Sequence, residues 1–442
     1  MANVFSLTDG TTTIQLNSGD ILTESYPIAE PGVDLQEIAG TESGGTVVNA
    51  PLRNVTESID VVLTNNARSN LNVIERMFDL ARQRQRDNAG PRVYIQVSID
   101  EANTWRSEVL AGRVSLEHAP DQLWRNRVRA TLHITRRYYW EGPETQLQLT
   151  SSANSTPTTS PVTLYNNDDA TATQTNWIGI ASSQVTGVLP APIKLKLANA
   201  ELSALNYREF FIANNVFSDP TGMDPFLLGT EAAGGATFSW SSSSQVTAYT
   251  WDLASTLLAD TAGRYFRVLA AFSSASTGVY LQPVVLFGVG GLYIDIYVGG
   301  EVYHNGEELI DLGAVPLPPG GYNPNTATVA LAIRARKSGG GSLTLDFVQL
   351  TPTGRGMYRR VRQLGFAMES NDALVDDGIE GLVYGEEPDS DRLPVMRGLN
   401  APIHVWPNRT QRLRVLARES GGFVAGRKFT AQIWYRPRRL VL

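Results

Sequence analysis

The sequence contains no cysteine and only four histidines among its 442 residues. Without cysteine, the chain has no disulfide, no thiolate nucleophile and no cysteine-ligated metal. The histidines are scattered and lack the spacing of a metal site, so we expect each to be solvated or hydrogen-bonded. They are His118, His133, His304 and His404.

Long apolar runs are absent as well. Nowhere do 18 apolar residues follow one another, so no membrane span is expected. The opening residues, MANVFSLTDGTTTIQ, show neither the basic nor the apolar region of a secretion signal. The sequence therefore predicts a soluble protein that is made in a cytoplasm.

The known catalytic signatures are missing too. There is no HExxH, no GxSxG and no Walker A loop, and GGFVAGRKF has Arg427 where a phosphate-binding loop has lysine. Acidic residues cluster at Asn167–Asp169, at Glu307–Glu308 and between Asp372 and Asp391. A glycosidase pair or a calcium loop is the functional interpretation, and carboxylates that solvate turns are the simpler one. We expect no enzyme activity, no metal and no cofactor.

The composition is that of a folded, β-rich protein. The apolar fraction is 42%, and 39 glycines and 23 prolines indicate many turns. Alternating apolar residues predict half-buried strands at 55–63, 93–99 and 128–134. Between the first two strands, an apolar stripe at helical spacing predicts one amphipathic helix. The stripe consists of Leu71, Ile74, Met77, Phe78 and Ala81.

Changes of pattern divide the chain. The stretch from Thr150 to Asn176 is rich in Ser, Thr, Asn and Pro and is typical of a linker, and residues 161–352 show only strands and turns. Residues 353–442 hold two clear strands, too few to bury a core alone. We therefore predict a discontinuous β-sandwich domain with one α-helix, formed by residues 1–149 and 353–442. A linker at 150–160 leads to an inserted jelly-roll β-sandwich at 161–352.

The last nine residues, WYRPRRLVL, mix aromatic, cationic and aliphatic side chains. From residue 351 onward, 15 basic residues stand against 10 acidic ones, in a chain with net charge −7. Pro437 cannot donate to a sheet, so this end is expected at a sheet edge, available to a protein partner. The predicted interface residues are Trp434, Arg436, Pro437, Arg438, Arg439, Leu440 and Leu442.

Aromatic residues are frequent in the predicted insert. Sugar-binding modules combine aromatic platforms with a few polar groups, although most aromatic residues of a sandwich belong to its core. Plain structural spacing is therefore the alternative role for the insert. The candidates for glycan contact are Trp177, Trp240, Trp251 and Tyr303.

Four short stretches carry a resemblance to a known family. They are RRYYWEGP at 136–143, LDFVQLTP at 345–352, HVWPNR at 404–409 and IWYRPRR at 433–439. Together with the predicted domain order, they resemble the distal tail proteins (Dit-like) of bacteriophages with long, non-contractile tails.

The resemblance implies a β-rich belt domain in a hexameric ring under the tail tube. The strands that end at Trp140 and run from Phe429 to Arg436 would belong to this belt, and residues 161–352 would form a peripheral galectin-like or carbohydrate-binding-module-like domain.

The resemblance also implies partners and a place in the virion. The partners would be further copies of the chain, the tail tube protein and the tail hub or tip proteins, with host-surface glycan as a further ligand. The protein would be made in the bacterial cytoplasm and reside in the phage tail, with no specific nucleic acid and no catalytic residue. Another minor tail or baseplate protein, or a free carbohydrate-binding protein, is the alternative.

Overall fold

A computed structural model gives the fold, which is mainly β, as the sequence predicted, with one α-helix among the residues that the structure describes. The structure describes residues 5–32, 36–38, 46–49, 52–87, 90–100, 103–116, 127–166, 176–215, 226–228, 236–253, 265–275, 277–289, 291–304, 309–318, 327–354, 356–363, 367–386, 396–399, 401–419, 424 and 426–442.

Antiparallel pairing joins all of the paired strands in the described residues. In chain order, the strands are β1 Phe5–Thr8, β2 Thr13–Gln15, β3 Ile21–Ser25, β4 Gln36–Ile38, β5 Thr46–Asn49, β6 Val55–Leu63, β7 Val93–Asp100, β8 Asn103–Leu116, β9 Val128–Arg136, β10 Trp140–Glu141, β11 Thr145–Gln146, β12 Val162–Tyr165, β13 Trp177–Ile180, β14 Ala191–Asn199, β15 Tyr207–Asn215, β16 Phe226–Leu228, β17 Ala236–Trp240, β18 Val246–Asp252, β19 Tyr265–Ala275, β20 Val279–Val289, β21 Leu292–Val298, β22 Val302–His304, β23 Leu309–Pro316, β24 Ala327–Arg336, β25 Gly341–Pro352, β26 Tyr358–Gln363, β27 Ala373–Asp377, β28 Leu382–Glu386, β29 Met396–Leu399, β30 His404–Val405, β31 Gln411–Glu419, β32 Lys428–Tyr435 and β33 Arg438–Arg439.

The chain forms two compact units. Unit 1 consists of Met1–Glu144, Gly187–Leu189 and Arg436–Leu442, and unit 2 of Thr145–Thr186 and Pro190–Tyr435. The chain thus leaves unit 1 after Glu144, contributes Gly187–Leu189 to it, and returns to it at Arg436.

Unit 1 contains one large sheet, the two-stranded sheet of β4 and β5, and the helix. The sheet has the strand order β2-β1-β7-β8-β9-β6-β3, with β10 paired to β8 and β33 paired to β10. The helix α1, Ala67–Asp87, buries the predicted apolar stripe from Leu71 to Ala81. Phe78 packs so closely over Gly112 of β8 that a side chain at position 112 would collide with its ring. The sequence prediction of this helix is confirmed.

Unit 2 begins and ends with a first sandwich. One of its sheets has the order β11-β32-β14-β27-β28, with β12 on β32 and β30 on β14, and the other has the order β13-β31-β15-β26-β29. Its core includes Ile193, Leu195, Phe210, Val415 and Ile433, all buried. Residues from the N-terminal and C-terminal parts of unit 2 therefore share one core.

A second sandwich lies within the first in chain order. Its two sheets have the orders β16-β25-β19-β23, with β17 on β25, and β18-β24-β20-β21, with β22 on β20. Phe266, Phe272, Leu281 and Leu331 are among its buried core residues. A smaller cluster that includes Phe211 and Leu269 joins β15 of the first sandwich to β19 of the second.

The sequence predicts that strands within residues 353–442 complete the domain begun by residues 1–149. The observed strand pairing is different. Strand β31 pairs with β13 and β15, and β32 pairs with β11, β12 and β14, so both lie in unit 2. Only β33 returns to the sheet of unit 1. Alternation identifies the buried face of a strand and leaves its neighbour unspecified, which is why the expectation failed here.

Candidate functional site

The end of the chain lies against residues 140–144 within unit 1. Pro437 separates β32 from β33, in line with its inability to donate to a ladder. Strand β33 pairs Arg439 with Trp140 and Arg438 with Glu141. The backbone N–H of Gly142 donates to the carbonyl of Pro437 at 2.9 Å. The segment is therefore held by its own chain.

Arg438 and Arg439 each contact side chains of unit 1. Arg438 donates to Oε1 of Glu141 from Nε at 3.1 Å and from Nη2 at 2.7 Å. Its guanidinium also lies 4.0 Å from the ring of Tyr139. Arg439 lies 4.5 Å over the ring of Trp105. Charge-assisted and cation–π contacts of this kind fix the direction of the last strand.

Arg436 holds the point at which the chain returns to unit 1. It donates to the carbonyl of Gly142 at 3.2 Å and to Oε2 of Glu144 at 3.4 Å. Burial, together with the positive charge of Arg106, lowers the pKa of Arg436 below its ordinary value. The departing and returning ends of the chain are thus tied together.

A buried ion pair packs against Trp140, the strand partner of Arg439. Arg136 donates to Glu57 at 2.8 Å and 3.2 Å, and both side chains are almost fully buried. The Arg136 guanidinium lies 4.4 Å from the ring of Trp140, which is itself fully buried. Tyr26 donates to Glu57 at 2.7 Å, and burial and the Glu57 carboxylate raise the pKa of Tyr26. The RRYYWEGP stretch therefore contributes a buried arginine and a buried tryptophan that stabilise unit 1.

The structure separates the predicted interface residues. Trp434 lies in β32 of unit 2, with the Lys194 ammonium 5.5 Å from its ring. The remaining six lie in unit 1, where Leu442 packs against the core. Arg439 and Val441 are the exposed residues at this end. Their exposure leaves a small surface for a partner.

The four glycan candidates occupy three different places. Trp177 lies in the first sandwich under the guanidinium of Arg412, at 4.5 Å. Trp240 and Trp251 belong to a row of rings with Phe238 and Tyr249 that packs on the core of the second sandwich. Tyr303 is 54% exposed. The structure therefore does not bring the four together.

Tyr303 belongs to an aromatic pair that the sequence did not reveal. Its ring lies 5.2 Å from that of Tyr280, which is 37% exposed on the adjacent strand β20. Arg336 stacks 4.8 Å from the Tyr280 ring. Arg336 also donates twice to Glu301, at 3.1 Å and 2.7 Å. This hydrogen bonding lowers the pKa of Glu301.

The polar groups continue across the same sheet. Gln245 donates to Gln282 at 2.7 Å, and Gln282 donates to the carbonyl of Gly299 at 2.7 Å. Arg334 donates to both carboxylate oxygens of Asp295, at 2.8 Å and 2.6 Å. We call this surface the polar face. It consists of Gln245, Tyr280, Gln282, Asp295, Glu301, Tyr303, Arg334 and Arg336.

One signal in the sequence could have identified the polar face. Tyr280 and Gln282 alternate with buried Val279 and Leu281 along β20. On β24, the paired positions of these two residues are Arg336 and Arg334. The alternation was visible, but the partner strand that aligns tyrosine with arginine was not.

A different surface of the second sandwich is apolar. Strand β21 exposes Leu292 (79%) and Ile294 (62%), and nearby Phe287, Ile296 and Pro316 line a groove of about 430 Å³. The pairing of β21 with β20 skips Ile296, which forms a bulge. A bulge interrupts a free strand edge and so limits its pairing with another strand.

Two of the three predicted acidic clusters lie outside the part of the chain that the structure describes. Asn167–Asp169 and Glu307–Glu308 lie outside the described residues, as does His118. Within the described ranges, no group of three or more metal-binding side chains is placed to hold an ion. In the same ranges, no helix is both long and apolar enough to cross a membrane.

Comparison with known proteins yields only distant structural alignments. No protein-family model matches the chain, and no curated protein does. Among solved structures, the Dit protein of phage SPP1, described as a paradigm of the hub adsorption apparatus in phages that infect Gram-positive bacteria, aligns over 99% of both chains. The identity is 7% and the TM-score 0.36.

Two further structures align with lower scores. The activated baseplate of phage p2 covers 76% of this chain and 99% of its own, with 8% identity and a TM-score of 0.25. A structure of infectious bursal disease virus, strain Gx, covers 81% and 86%, with 11% identity and a TM-score of 0.18. TM-scores below 0.5 do not establish a shared fold, so these alignments do not decide the function of this chain.

Proposed function

We propose that the protein is a structural component of a phage tail, with no enzymatic activity. The observation that supports this most is the meeting of two stretches that carry the resemblance to distal tail proteins. RRYYWEGP and IWYRPRR are almost 300 residues apart, yet Trp140 and Glu141 pair with Arg439 and Arg438. A closed belt domain that carries an insertion requires this arrangement of its chain ends.

In this proposal, unit 1 forms the ring and unit 2 carries the second sandwich. The ring would be a homohexamer that joins the tail tube to the hub or tip proteins in the virion. A heterologous contact that closes at six satisfies ring symmetry. The exposed residues Arg439 and Val441, beside half-buried Leu440, form part of the contact with a neighbouring subunit.

Removal of residues 436–442 tests the role of the terminus. A chain that ends at Tyr435 keeps β32 and with it the core of unit 2, whereas a cut after Gln432 would shorten a core strand. We expect a hexamer of the full chain by native mass spectrometry and the loss of that hexamer in the shortened chain.

Point variants separate assembly from folding. We expect Arg439→Glu to lower the hexamer fraction about tenfold by placing a repulsive charge in the interface, with only a small fall in melting temperature from the lost stacking on Trp105. Arg129→Glu is the matched control, because Arg129 is an exposed arginine elsewhere in unit 1. Hexamers that persist both in Arg439→Glu and in the chain ending at Tyr435 would exclude the terminus from the interface.

Glycan contact is the second proposed role, and the polar face of the second sandwich favours it. In a ring, six weak sites would act together and gain avidity. In a free carbohydrate-binding protein, the same sites would act alone. Native mass spectrometry separates these cases, because only the tail component assembles.

A further inference from the structure

We infer that the polar face binds a neutral oligosaccharide, with Tyr280 and Tyr303 as the stacking platform. This inference rests on the proposed glycan contact and adds the position of the site and the class of its ligand. The two rings are exposed, lie 5.2 Å apart and meet at 66°, so a sugar ring can stack on one and contact the edge of the other.

The charges of the polar face indicate an uncharged ligand. Both of its arginines are paired twice with a carboxylate of the same face, Arg334 with Asp295 and Arg336 with Glu301. The two positive and two negative charges cancel. An acidic saccharide would therefore find no net positive charge and would approach two carboxylates, whereas a neutral saccharide has hydroxyls that suit both partners of each pair.

The platform is held in place before any ligand arrives. Glu301 fixes Arg336, and Arg336 lies over the Tyr280 ring, so this ring is supported on one side. Gln245 and Gln282 orient each other through their amides, next to the platform on β20. Side chains that are ordered in advance lose less entropy on binding, which favours weak polar ligands such as sugars.

A protein partner fits the polar face less well than a sugar does. The centres of protein interfaces are rich in apolar contacts and poor in charged residues. The exposed aliphatic residues of this sandwich are concentrated on β21, including Leu292 and Ile294. The polar face instead combines two tyrosines with planar amide, guanidinium and carboxylate groups, so it offers a sugar both a stacking surface and hydrogen-bond partners.

Titration of the full-length protein with defined saccharides tests the inference. The neutral probes are hexasaccharides of glucose, galactose and N-acetylglucosamine, and the acidic probe is a hexasaccharide of galacturonic acid. We expect at least one neutral probe to bind by isothermal calorimetry, with an affinity that 0.5 M NaCl does not change, because the ligand has no charge to screen.

Single substitutions locate the site. We expect Tyr303→Ala and Tyr280→Ala to weaken binding about tenfold each. Tyr265→Ala is the matched control, because Tyr265 is 57% exposed on β19 of the opposite sheet, and its affinity should stay within about twofold of the wild type.

The outcomes separate this inference from the proposed function. Binding of a neutral probe that survives both tyrosine substitutions would keep the glycan role and reject the polar face. Binding of the acidic probe alone would keep the glycan role and reject the neutral class. If no probe binds, both the inference and the glycan role fall, while the proposed tail role is decided by the native mass spectrometry.

Discussion

Two arginines in this protein have the same kind of surroundings in two different regions. In unit 1, Arg136 bonds twice to Glu57 and stacks on Trp140, and in unit 2, Arg336 bonds twice to Glu301 and stacks on Tyr280. The first pair is 0% and 1% exposed and the second is 43% and 33% exposed. The chemistry is shared, so burial alone separates a pair that holds the fold from a pair that presents a surface.

The physical reason lies in the solvent. A buried charge that loses its partner keeps the full cost of its desolvation, whereas an exposed charge is solvated by water at once. The buried pair is therefore costly to break, and the exposed pair costs little to break. Three substitutions test this contrast, from the largest expected effect to the smallest.

Glu57→Ala should be the most damaging change. It leaves the Arg136 guanidinium buried without its carboxylate and removes the acceptor of Tyr26, so we expect a loss of about 3–5 kcal/mol in the free energy of unfolding. Urea denaturation followed by tryptophan fluorescence measures it. The double variant Glu57→Leu with Arg136→Met should lose much less, and an equal loss in both would mean that packing matters here and charge does not.

Glu209 in unit 2 should give an intermediate and pH-dependent effect. Burial alone would raise the pKa of this carboxyl, but hydrogen bonds from Arg360 and Arg362, with Arg418 close by, lower it below its ordinary value of 4.5. Because the folded pKa lies below the unfolded one, the stabilisation is present above about pH 4.5 and is lost as the pH falls through the folded pKa.

We therefore expect Glu209→Gln to cost about 2 kcal/mol at pH 7 and progressively less below pH 4.5. Thermal melting between pH 7 and pH 3 measures the difference between the variant and the wild type. Glu24→Gln is the control, because Glu24 forms an exposed pair with Arg129. A constant difference across this range would show that the charge of Glu209 does not stabilise the fold.

Glu301→Gln should have the smallest effect on stability. Its carboxylate and the Arg336 guanidinium are solvated, so we expect no measurable change in melting temperature. The same variant should bind a neutral hexasaccharide more weakly. Without the Glu301 carboxylate, Arg336 is no longer held over the Tyr280 ring. A lower melting temperature in this variant would show that the exposed pair of Glu301 and Arg336 also stabilises the fold.

Much of the local structure was predictable from the sequence. Alternation predicted the strands that include 55–63 and 128–134, and the apolar stripe from Leu71 to Ala81 predicted the helix with its buried face. The mainly β fold class followed from the same patterns. These features depend on residues that are close together in the sequence, where the pattern carries the information.

Pairing over long distances was not predictable in the same way. Ile193 and Tyr435 share a register although 242 positions separate them, and nothing in either strand specifies the other. The same limit hid the polar face, which exists only because Tyr280 of β20 is paired with Arg336 of β24 and Tyr303 of β22. Residues that form a site on a sheet are selected by register, and register is a property of the folded chain.

The contact between Glu144 and Arg436 has a consequence for the history of such a chain. Because the two ends of unit 1 already contact each other there, a gene segment that codes for unit 2 can be exchanged while those ends keep their partners, provided that Gly187–Leu189 stay in place for unit 1. The sequence of unit 2 could then vary while the ends of unit 1 keep their contacts with each other.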